Sequence, residues 1–253
     1  MTEKKQTQKP KFPTENVTLP SKGLLYSKDS PLAKGTIEMK YMTAREEDIL
    51  TNQNYISNGT VIDKLLQSLI VTNINYDDLL VGDKNAILVA ARILGYGADY
   101  EFELNGEQHQ FDLTKVNDKE LDKSLVQDGK NEFSYTLPTS KIGVTFKFLT
   151  HNDENKINKE IEGMKKLDNV NSRALSTRMK HMVLSVDGNY EKKVIREFID
   201  TRMLARDSRA LRNHIKKIQP DVDLSYKFTD GAGNQKTFEI PIGINFFWPD
   251  VDV

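Results

Sequence analysis

Residues 79–100 constrain the fold of this chain more than any other segment. Within them, positions 86–94 are apolar on nearly every side of a helix, and Arg92 is the exception. A helix that lacks a polar face is usually buried at the centre of its domain. The segment therefore predicts a central helix around which the neighbouring elements pack.

Charged and glycine residues predict how this central helix begins and ends. Asp83 is expected to be its N-cap, because a carboxylate can accept a backbone N–H and suits the positive end of the helix dipole. Gly95 and Gly97 are expected to stop it, since glycine readily adopts the left-handed conformation. Arg92 is expected to reach a carboxylate or backbone carbonyl groups, because a buried guanidinium needs partners.

The chain as a whole alternates helical periodicity with hairpin signals, which predicts a helix-rich α+β fold. Helices followed by a β-hairpin occur in residues 43–113 and again in residues 152–240, a loose two-fold internal similarity that reflects either two related halves or coincidence. We expect a flexible basic arm at 1–18, an N-terminal α+β unit at 19–150, and a helical unit with a C-terminal hairpin and aromatic tail at 151–253.

Shorter motifs carry local predictions. Pro20 disfavours helix before it and Gly23 indicates a turn, so the segment around them is predicted to be an extended edge or clamp element. The pair Thr43 and Glu46 fits a helix capping box, and Asn105-Gly106 fits a tight hairpin turn. Residues 172–186 place apolar side chains at helical spacing and are predicted to be one helix.

The composition excludes several kinds of site. The chain has 253 residues without cysteine, so it has no thiolate nucleophile and no cysteine-bound metal. The four histidines lack metal-ligand spacing, the net charge is only −1, and no apolar run approaches the length of a membrane helix. We therefore expect no catalytic residue, metal, cofactor or membrane association. An enzyme would require a titratable cluster in a closed pocket around Arg92 or His181.

Positive charge is concentrated between Lys165 and Lys217, where fourteen lysines and arginines outnumber six acidic residues. Three interpretations stay open: a solvated helical face, a docking surface for an acidic partner, and a nucleic-acid-binding surface. Asp207 is expected to cap a helix here, and guanidinium groups on its following turns can bind carboxylates at two points. The partner-binding candidates in this block are Arg202, Arg206, Arg209 and Arg212.

The C-terminal segment supplies a second candidate surface. It contains Phe246, Phe247 and Trp248, which is the only tryptophan of the chain. Such a segment either packs into the protein's own core or, if exposed, anchors another chain through its aromatic side chains. We therefore add these three residues to the partner-binding candidates.

A set of motifs is spread over residues 17–250. It comprises Leu19-Pro20-Ser21-Lys22-Gly23, the Thr43–Leu50 segment with Glu46-Glu47-Asp48, Asn58-Gly59 before a helix, Gly82-Asp83-Lys84-Asn85 through Gly95-Tyr96-Gly97, Asp207-Ser208-Arg209, and the Phe-Phe-Trp-Pro ending. In these motifs the chain resembles the baseplate hub assembly proteins of T-even-type contractile-tailed bacteriophages. The stretch from Gly82 to Gly97 is the strongest part of the resemblance.

This resemblance implies a non-enzymatic protein that helps to build the central hub of the phage baseplate, as a structural component or as a chaperone. Its partners would be hub proteins and the tape-measure protein, whose exposed helical apolar stripes would otherwise aggregate. It would act in the cytoplasm of the infected bacterial host, with the tail baseplate of the virion as a second location. Self-association is left open, and a nucleic-acid-binding module using the helices of residues 165–217 is the alternative function.

One departure from the family concerns metal. Its members often carry paired cysteines in the two hairpin regions, as a zinc ribbon does. Here Asn105–His109 and Asp230–Asn234 occupy the equivalent turns and offer no thiolate. The resemblance therefore implies ordinary hairpin turns in place of metal-clipped ones and puts any metal role in doubt.

Overall fold

The computed structural model describes residues 13–119, 121–127, 129–167, 173–229 and 233–247. It contains helices and small antiparallel sheets, which confirms the predicted α+β class. The first elements are β1 (Thr14–Thr18), β2 (Thr36–Lys40), α1 (Ala44–Leu50), α2 (Gln53–Ser57), α3 (Val61–Leu69), α4 (Val81–Tyr96), β3 (Asp99–Leu104), β4 (Glu107–Asp112) and β5 (Asn117–Lys119). They are followed by β6 (Phe133–Thr136), β7 (Gly143–Phe146), α5 (His151–Leu167), α6 (Ala174–Met182), β8 (Val183–Val186), α7 (Lys192–Glu197), α8 (Ala205–Ile218), β9 (Asp221–Asp223), β10 (Ser225–Thr229) and β11 (Gln235–Glu239).

The sheets are small and antiparallel. β1 pairs with β2, β3 with β4, β10 with β11, and β6, β7 and β8 form a three-stranded sheet. β5 pairs with β9, with Lys119 opposite Asp221, and this joins the two predicted units. One cluster of buried side chains likewise includes Ile87, Phe146 and Phe246. The predicted boundary at residue 150 stays a prediction, although contacts of this kind cross it.

The two hairpins, β3–β4 and β10–β11, pack against each other through aromatic rings. Phe102 stacks on Phe238 at 5.6 Å and meets Tyr226 edge-on at 5.2 Å. His109 Nδ1 lies 3.1 Å from the Tyr226 hydroxyl. The hairpins are therefore held together by ring contacts and a polar contact.

α4 is the buried helix that the sequence predicted. Ile87 is fully buried and Leu88 is 4 % exposed. Gly97 ends the helix at a φ of +87°, a conformation that favours glycine, as predicted. Gly95 lies inside the last turn, so the prediction that it stops the helix is wrong. A Cβ there would come within 2.9 Å of the end of the Met42 side chain.

Asp83 does not cap α4. The N-cap is Leu80, so Asp83 is the third residue of the helix. Its fully buried carboxylate accepts hydrogen bonds from the Ser21 N–H (2.9 Å), the Ser21 hydroxyl (2.7 Å) and the Tyr26 hydroxyl (2.5 Å). The prediction of an N-cap is wrong because the carboxylate accepts hydrogen bonds from donors about 60 residues away in sequence and not from the first N–H groups of its own helix. Asp83 thereby fastens residues 19–26 to α4.

Residues 19–26 form successive turns, which corrects the prediction of an extended segment. The predicted turn at Gly23 is confirmed, since its φ is +78° and a Cβ would lie 2.4 Å from the Ala33 oxygen. Pro20 is buried in the same turns. The segment clamps onto the body through the hydrogen bonds of Asp83 rather than as an edge strand.

β1 corrects part of the predicted flexible arm. Its residues, 14–18, pair with β2 in an antiparallel ladder that places Val17 opposite Ile37. Their composition is polar, but the backbone hydrogen bonds of the ladder order them regardless of composition. Residues 1–12 of the predicted arm lie outside the described residues.

A strand–turn–strand unit fastened by a buried aspartate occurs twice. Asp207 is the third residue of α8, as Asp83 is of α4, and it is also fully buried. It accepts hydrogen bonds from the N–H groups of Thr139 (2.8 Å) and Ser140 (2.9 Å), in the turn between β6 and β7. The prediction that Asp207 caps α8 is therefore wrong for the same reason as at Asp83.

The helix that follows each unit also begins in the same way. An acid in the first turn accepts a hydrogen bond from a threonine and pairs with a lysine from the preceding strand or just after it. The contacts are Thr43–Glu46 and Lys40–Glu46 at α1, and Thr150–Asp153 and Lys147–Asp153 at α5. The two-fold similarity is therefore structural, and we call residues 14–112 the first repeat and residues 133–239 the second repeat.

The predicted helix over residues 172–186 ends early. α6 stops at Met182, and Val183–Val186 form β8 beside β7, with Val186 opposite Val144. β-Branched residues suit a buried strand, and a short apolar run does not distinguish strand from helix. Pairing with the edge of β7 therefore makes residues 183–186 a strand and not the last turn of the helix.

Candidate partner-binding surface

A groove of about 620 Å³ lies between α6 and α8. Met179 and Ile215, which are 1 % and 3 % exposed, form its floor together with Met182. Leu175 stands at its edge and is 50 % exposed, although it is a large apolar side chain. The apolar residues of α6 follow the helical period and form one stripe, and the outer end of that stripe is uncovered.

Charged side chains line the rim of the groove. The cations are Lys119, Arg178, Arg212 and Lys216, and the acids are Asp221 and Glu239. Arg178 pairs with Glu154, and Lys216 Nζ lies 3.9 Å from a Glu239 carboxylate oxygen. Arg212 has no ion-pair partner within the described part of the chain. An apolar floor with a mainly cationic rim suits an apolar segment that carries carboxylates.

The four candidate arginines do not converge. Arg212 lines the groove, whereas the other three are exposed on the surface outside it. Arg202 lies over the Phe198 ring at 6.0 Å. Lys216 follows Arg212 by one helical turn, so helical spacing could have identified it. Lys119 and Arg178 could not be found this way, because their proximity depends on how distant elements pack.

The aromatic tail is not an exposed anchor in its described part. Phe246 and Phe247 are each 1 % exposed and belong to the main core. Of the two interpretations left open by the sequence, packing into the protein's own core holds for these two residues and exposed partner binding does not, since burial of large apolar rings inside the chain is favourable. Trp248 lies outside the described residues.

Arg92 fastens this tail to α4. Its Nε donates to the Phe246 carbonyl at 3.1 Å, and its two terminal nitrogens donate to the carbonyls of Gly97 (2.9 Å) and Asp99 (3.1 Å). The guanidinium also lies over the Tyr96 ring at 5.4 Å. The prediction that a buried Arg92 reaches backbone carbonyls is confirmed, and these hydrogen bonds join the segment around Phe246 to the residues that follow α4.

A partly buried polar cluster that the sequence did not reveal joins α3, α4 and α5. Asp63 accepts a hydrogen bond from the Tyr76 hydroxyl (3.0 Å), pairs with Lys84 (2.5 Å) and lies 3.7 Å from His151. Burial, together with the nearby Lys84 charge, holds the pKa of His151 below its ordinary value. Because each member is fixed by another member, the cluster cross-links the three helices.

A second groove, of about 530 Å³, lies beside α6 and α7. Its lining includes Lys156, Lys192 and Arg196, and Tyr190 at its edge is 61 % exposed. His181 also lines it and lies 3.0 Å from a Glu160 oxygen. This groove is polar and cationic, in contrast to the apolar groove between α6 and α8.

No protein-family model, curated protein or solved structure matches this chain. Among the residues described, no group of three or more His, Cys, Asp or Glu side chains is arranged to hold a metal ion. None of the described helices is long and apolar enough to cross a membrane.

Proposed function

We propose that this chain is a non-enzymatic phage tail protein that acts in baseplate hub assembly, as a structural component or as a chaperone for tape-measure and hub proteins. The observation that carries the proposal is the open groove between α6 and α8. Its apolar floor can cover an exposed apolar stripe of an unassembled partner, and its cationic rim favours partners that carry acids. Such a protein works in the cytoplasm of the infected host or in the virion tail.

The motifs behind the family resemblance support the proposal through their contacts. Residues 19–23 and 82–85 lie far apart in sequence, yet Asp83 and Ser21 join them by two hydrogen bonds. The Asp207 motif makes the corresponding contact in the second repeat. The motifs therefore define the framework of the fold, which is what a family pattern without catalytic residues should contain.

Co-expression tests the proposed function. The chain is produced with the tape-measure and hub proteins of the same phage, and complexes are separated by affinity purification and size-exclusion chromatography. We expect a defined complex and a larger soluble yield of the tape-measure protein. A capsid protein of the same phage is the control and should not co-purify. Recovery of the chain as a lone monomer from this mixture would contradict the proposal.

The second groove favours one alternative, a nucleic-acid-binding module. Lysines, an arginine and the exposed Tyr190 suit phosphates and a stacked base. Against it, Lys180, which lines this groove, already pairs with Asp200 at 2.7 Å. The alternative predicts DNA or RNA binding that weakens steeply with salt, as measured by fluorescence anisotropy. Absence of binding at low salt removes it.

A further inference from the structure

The two repeats allow α8 to be compared with α4 position by position. Asp83 and Asp207 are both the third, fully buried residue of their helix and both fasten a turn between two strands. Counting nine residues from each aspartate pairs Arg92 of α4 with Lys216 of α8. Counting eight pairs Ala91 with Ile215, and counting five pairs Leu88 with Arg212. One face of α4 therefore corresponds to the α8 wall of the groove.

The α4 face is covered. Leu88 is 4 % and Arg92 is 5 % exposed. An aromatic segment reaches it through Arg92, whose Nε donates to the Phe246 carbonyl at 3.1 Å, while the Phe246 ring lies 5.0 Å from that of Tyr100 in the neighbouring β3. In the first repeat, the cation of this helix face thus holds the backbone of a segment with adjacent phenylalanines.

The corresponding α8 face is open. The Lys216 side chain is 74 % exposed, and Arg212 is also exposed. Beneath them Ile215 and Met179 supply an apolar floor, and Leu175 on the opposite wall is half exposed. The groove of the second repeat therefore has an apolar floor, and no segment among the described residues lies over it.

We propose that the groove between α6 and α8 binds a segment of a partner protein in which aromatic side chains are flanked by carboxylates. The aromatic rings enter between Met179, Met182 and Ile215, where flexible thioethers adapt to ring edges. Lys216 stands where Arg92 holds a backbone carbonyl, and Arg212, which has no ion-pair partner among the described residues, receives a flanking carboxylate. The inference rests on the proposed function only for the identity of the partner, since it names the surface and the chemistry of what binds.

A peptide with the sequence of residues 243–253 is the probe, because it contains the phenylalanine pair that the equivalent face holds and two aspartates after it. The fluorescein-labelled peptide is titrated with the full chain at about 0.15 M salt, where long-range attraction is screened, and anisotropy is followed. We expect saturable binding. A peptide with both phenylalanines replaced by serine should bind at least about tenfold more weakly, because the rings supply the apolar contact.

Matched variants of the chain localise the binding. The double variant Arg212→Glu and Lys216→Glu reverses two exposed charges on the groove, and Arg202→Glu and Arg206→Glu makes the same charge change outside it. The groove pair should weaken binding at least about tenfold and the outside pair by no more than about twofold. Circular dichroism melting confirms that both variants fold, as expected for exposed positions.

Four results would overturn the inference: no binding to the unmodified chain, equal losses in both double variants, no loss in the groove pair, or no dependence on the phenylalanines. A concentration-dependent dimer that only the groove pair abolishes would also overturn it, by assigning the groove to a second copy of the chain. The proposed function is judged separately. If tail proteins still co-purify with the groove double variant, the groove is not their binding site, but the role in hub assembly is retained. If the peptide binds but no complex with tail proteins forms, the groove is retained as a binding site and the role in hub assembly is refuted.

Discussion

Glu46 is fully buried, yet three side chains stabilise its charge. Its carboxylate accepts hydrogen bonds from Lys40 (2.8 Å), from the Thr43 hydroxyl (2.6 Å) and from the Ser68 hydroxyl (2.7 Å). Burial favours the neutral acid, but these hydrogen bonds outweigh it and lower the pKa of Glu46 from 4.5 to about 2. The residue therefore links the stability of the fold to pH.

The variant Glu46→Gln tests this link. At neutral pH it should reduce the free energy of unfolding by about 2 to 4 kcal/mol, because Lys40 loses its charged partner in a buried site. A folded pKa below the unfolded value stabilises the fold above about pH 4.5, and this contribution disappears as the pH falls towards about 2. The unmodified chain should thus lose more stability on acidification than the variant, as measured by urea unfolding followed by circular dichroism.

Asp48→Asn is the control for this experiment. Asp48 is exposed on the same helix, α1, so its replacement removes a carboxylate without breaking a buried pair. Its pH dependence should match that of the unmodified chain. If the free energy of unfolding fell equally on acidification in Glu46→Gln and in the unmodified chain, the role given to Glu46 would be contradicted.

Asp83 and Asp207 occupy similar positions in their helices, but their pKa values are shifted in opposite directions. Burial raises the pKa of Asp83, and its hydrogen bonds from Tyr26 and Ser21 oppose the shift without cancelling it. At Asp207 burial acts in the same direction, but the hydrogen bonds from Ser140 and Thr139 outweigh it and the pKa is lowered. The sequence indicated a helix-start acid at both positions, and the direction of each shift depends on neighbours from other elements.

At the scale of elements, α4 and β9 are in close contact at Gly82. A Cβ added to Gly82 would lie 1.9 Å from the Pro220 carbonyl oxygen. Pro220 leads directly into β9, which pairs with β5. The absence of a side chain at Gly82 therefore lets the first repeat approach the end of the second.

Replacement of Gly82 by alanine should reduce the free energy of unfolding by about 2 to 3 kcal/mol, because the added methyl group pushes the Pro220 backbone away from α4. The matched control is Gly163→Ala in α5, where a Cβ meets no atom within 4 Å. This change should stabilise the chain by about 0.5 to 1 kcal/mol through helix propensity. Urea unfolding measures both, and similar effects of the two substitutions would refute the close contact.

The two hairpins, β3–β4 and β10–β11, are held by turn geometry and by ring contacts. Asn105 and Gly106 adopt φ values of +57° and +84°, so the predicted tight turn of β3–β4 is confirmed. Part of the turn of β10–β11 lies outside the described residues. The rings of Phe102, Tyr226 and Phe238 hold the two hairpins together, a contact that edge-on and stacked aromatic pairs stabilise.

At the scale of the whole molecule, contacts between the two repeats make them depend on each other. The Asn85 amide of α4 donates a hydrogen bond to Asp221 of β9, and the Phe102 ring of β3 packs on the rings of Tyr226 and Phe238. Buried side chains from both repeats belong to one cluster. We therefore expect the chain to unfold in one cooperative transition.

Phe246→Ala tests this dependence. Removing a ring that is 1 % exposed should reduce the free energy of unfolding by about 3 to 5 kcal/mol, with far-UV and near-UV circular dichroism giving coincident urea transitions. Tyr190→Ala, at a side chain that is 61 % exposed, is the control and should change stability little. Two separated transitions, or unchanged stability of Phe246→Ala, would show that the tail is not part of a shared core.

Several elements were predictable because the groups that form them are close in sequence. The apolar run of α4, the capping box of Thr43 and Glu46, and the Asn105-Gly106 turn each depend on residues a few positions apart. The groove was not predictable. Met179 and Ile215 each carry a helical signal, but no local pattern records that α6 and α8 lie side by side.

Local patterns in the sequence predict most of the helices and hairpins and their apolar faces, although residues 14–18 and 183–186 became strands through pairing with β2 and β7. What covers the apolar faces depends on tertiary packing. Asp83 meets Ser21 across 62 residues, and Arg92 meets Phe246 across 154. Periodicity is a property of neighbouring residues, whereas these contacts depend on the packing of the whole chain. Such packing buries Leu88 and Arg92 of α4, whereas Arg212 and Lys216 at the corresponding positions of α8 are exposed among the described residues.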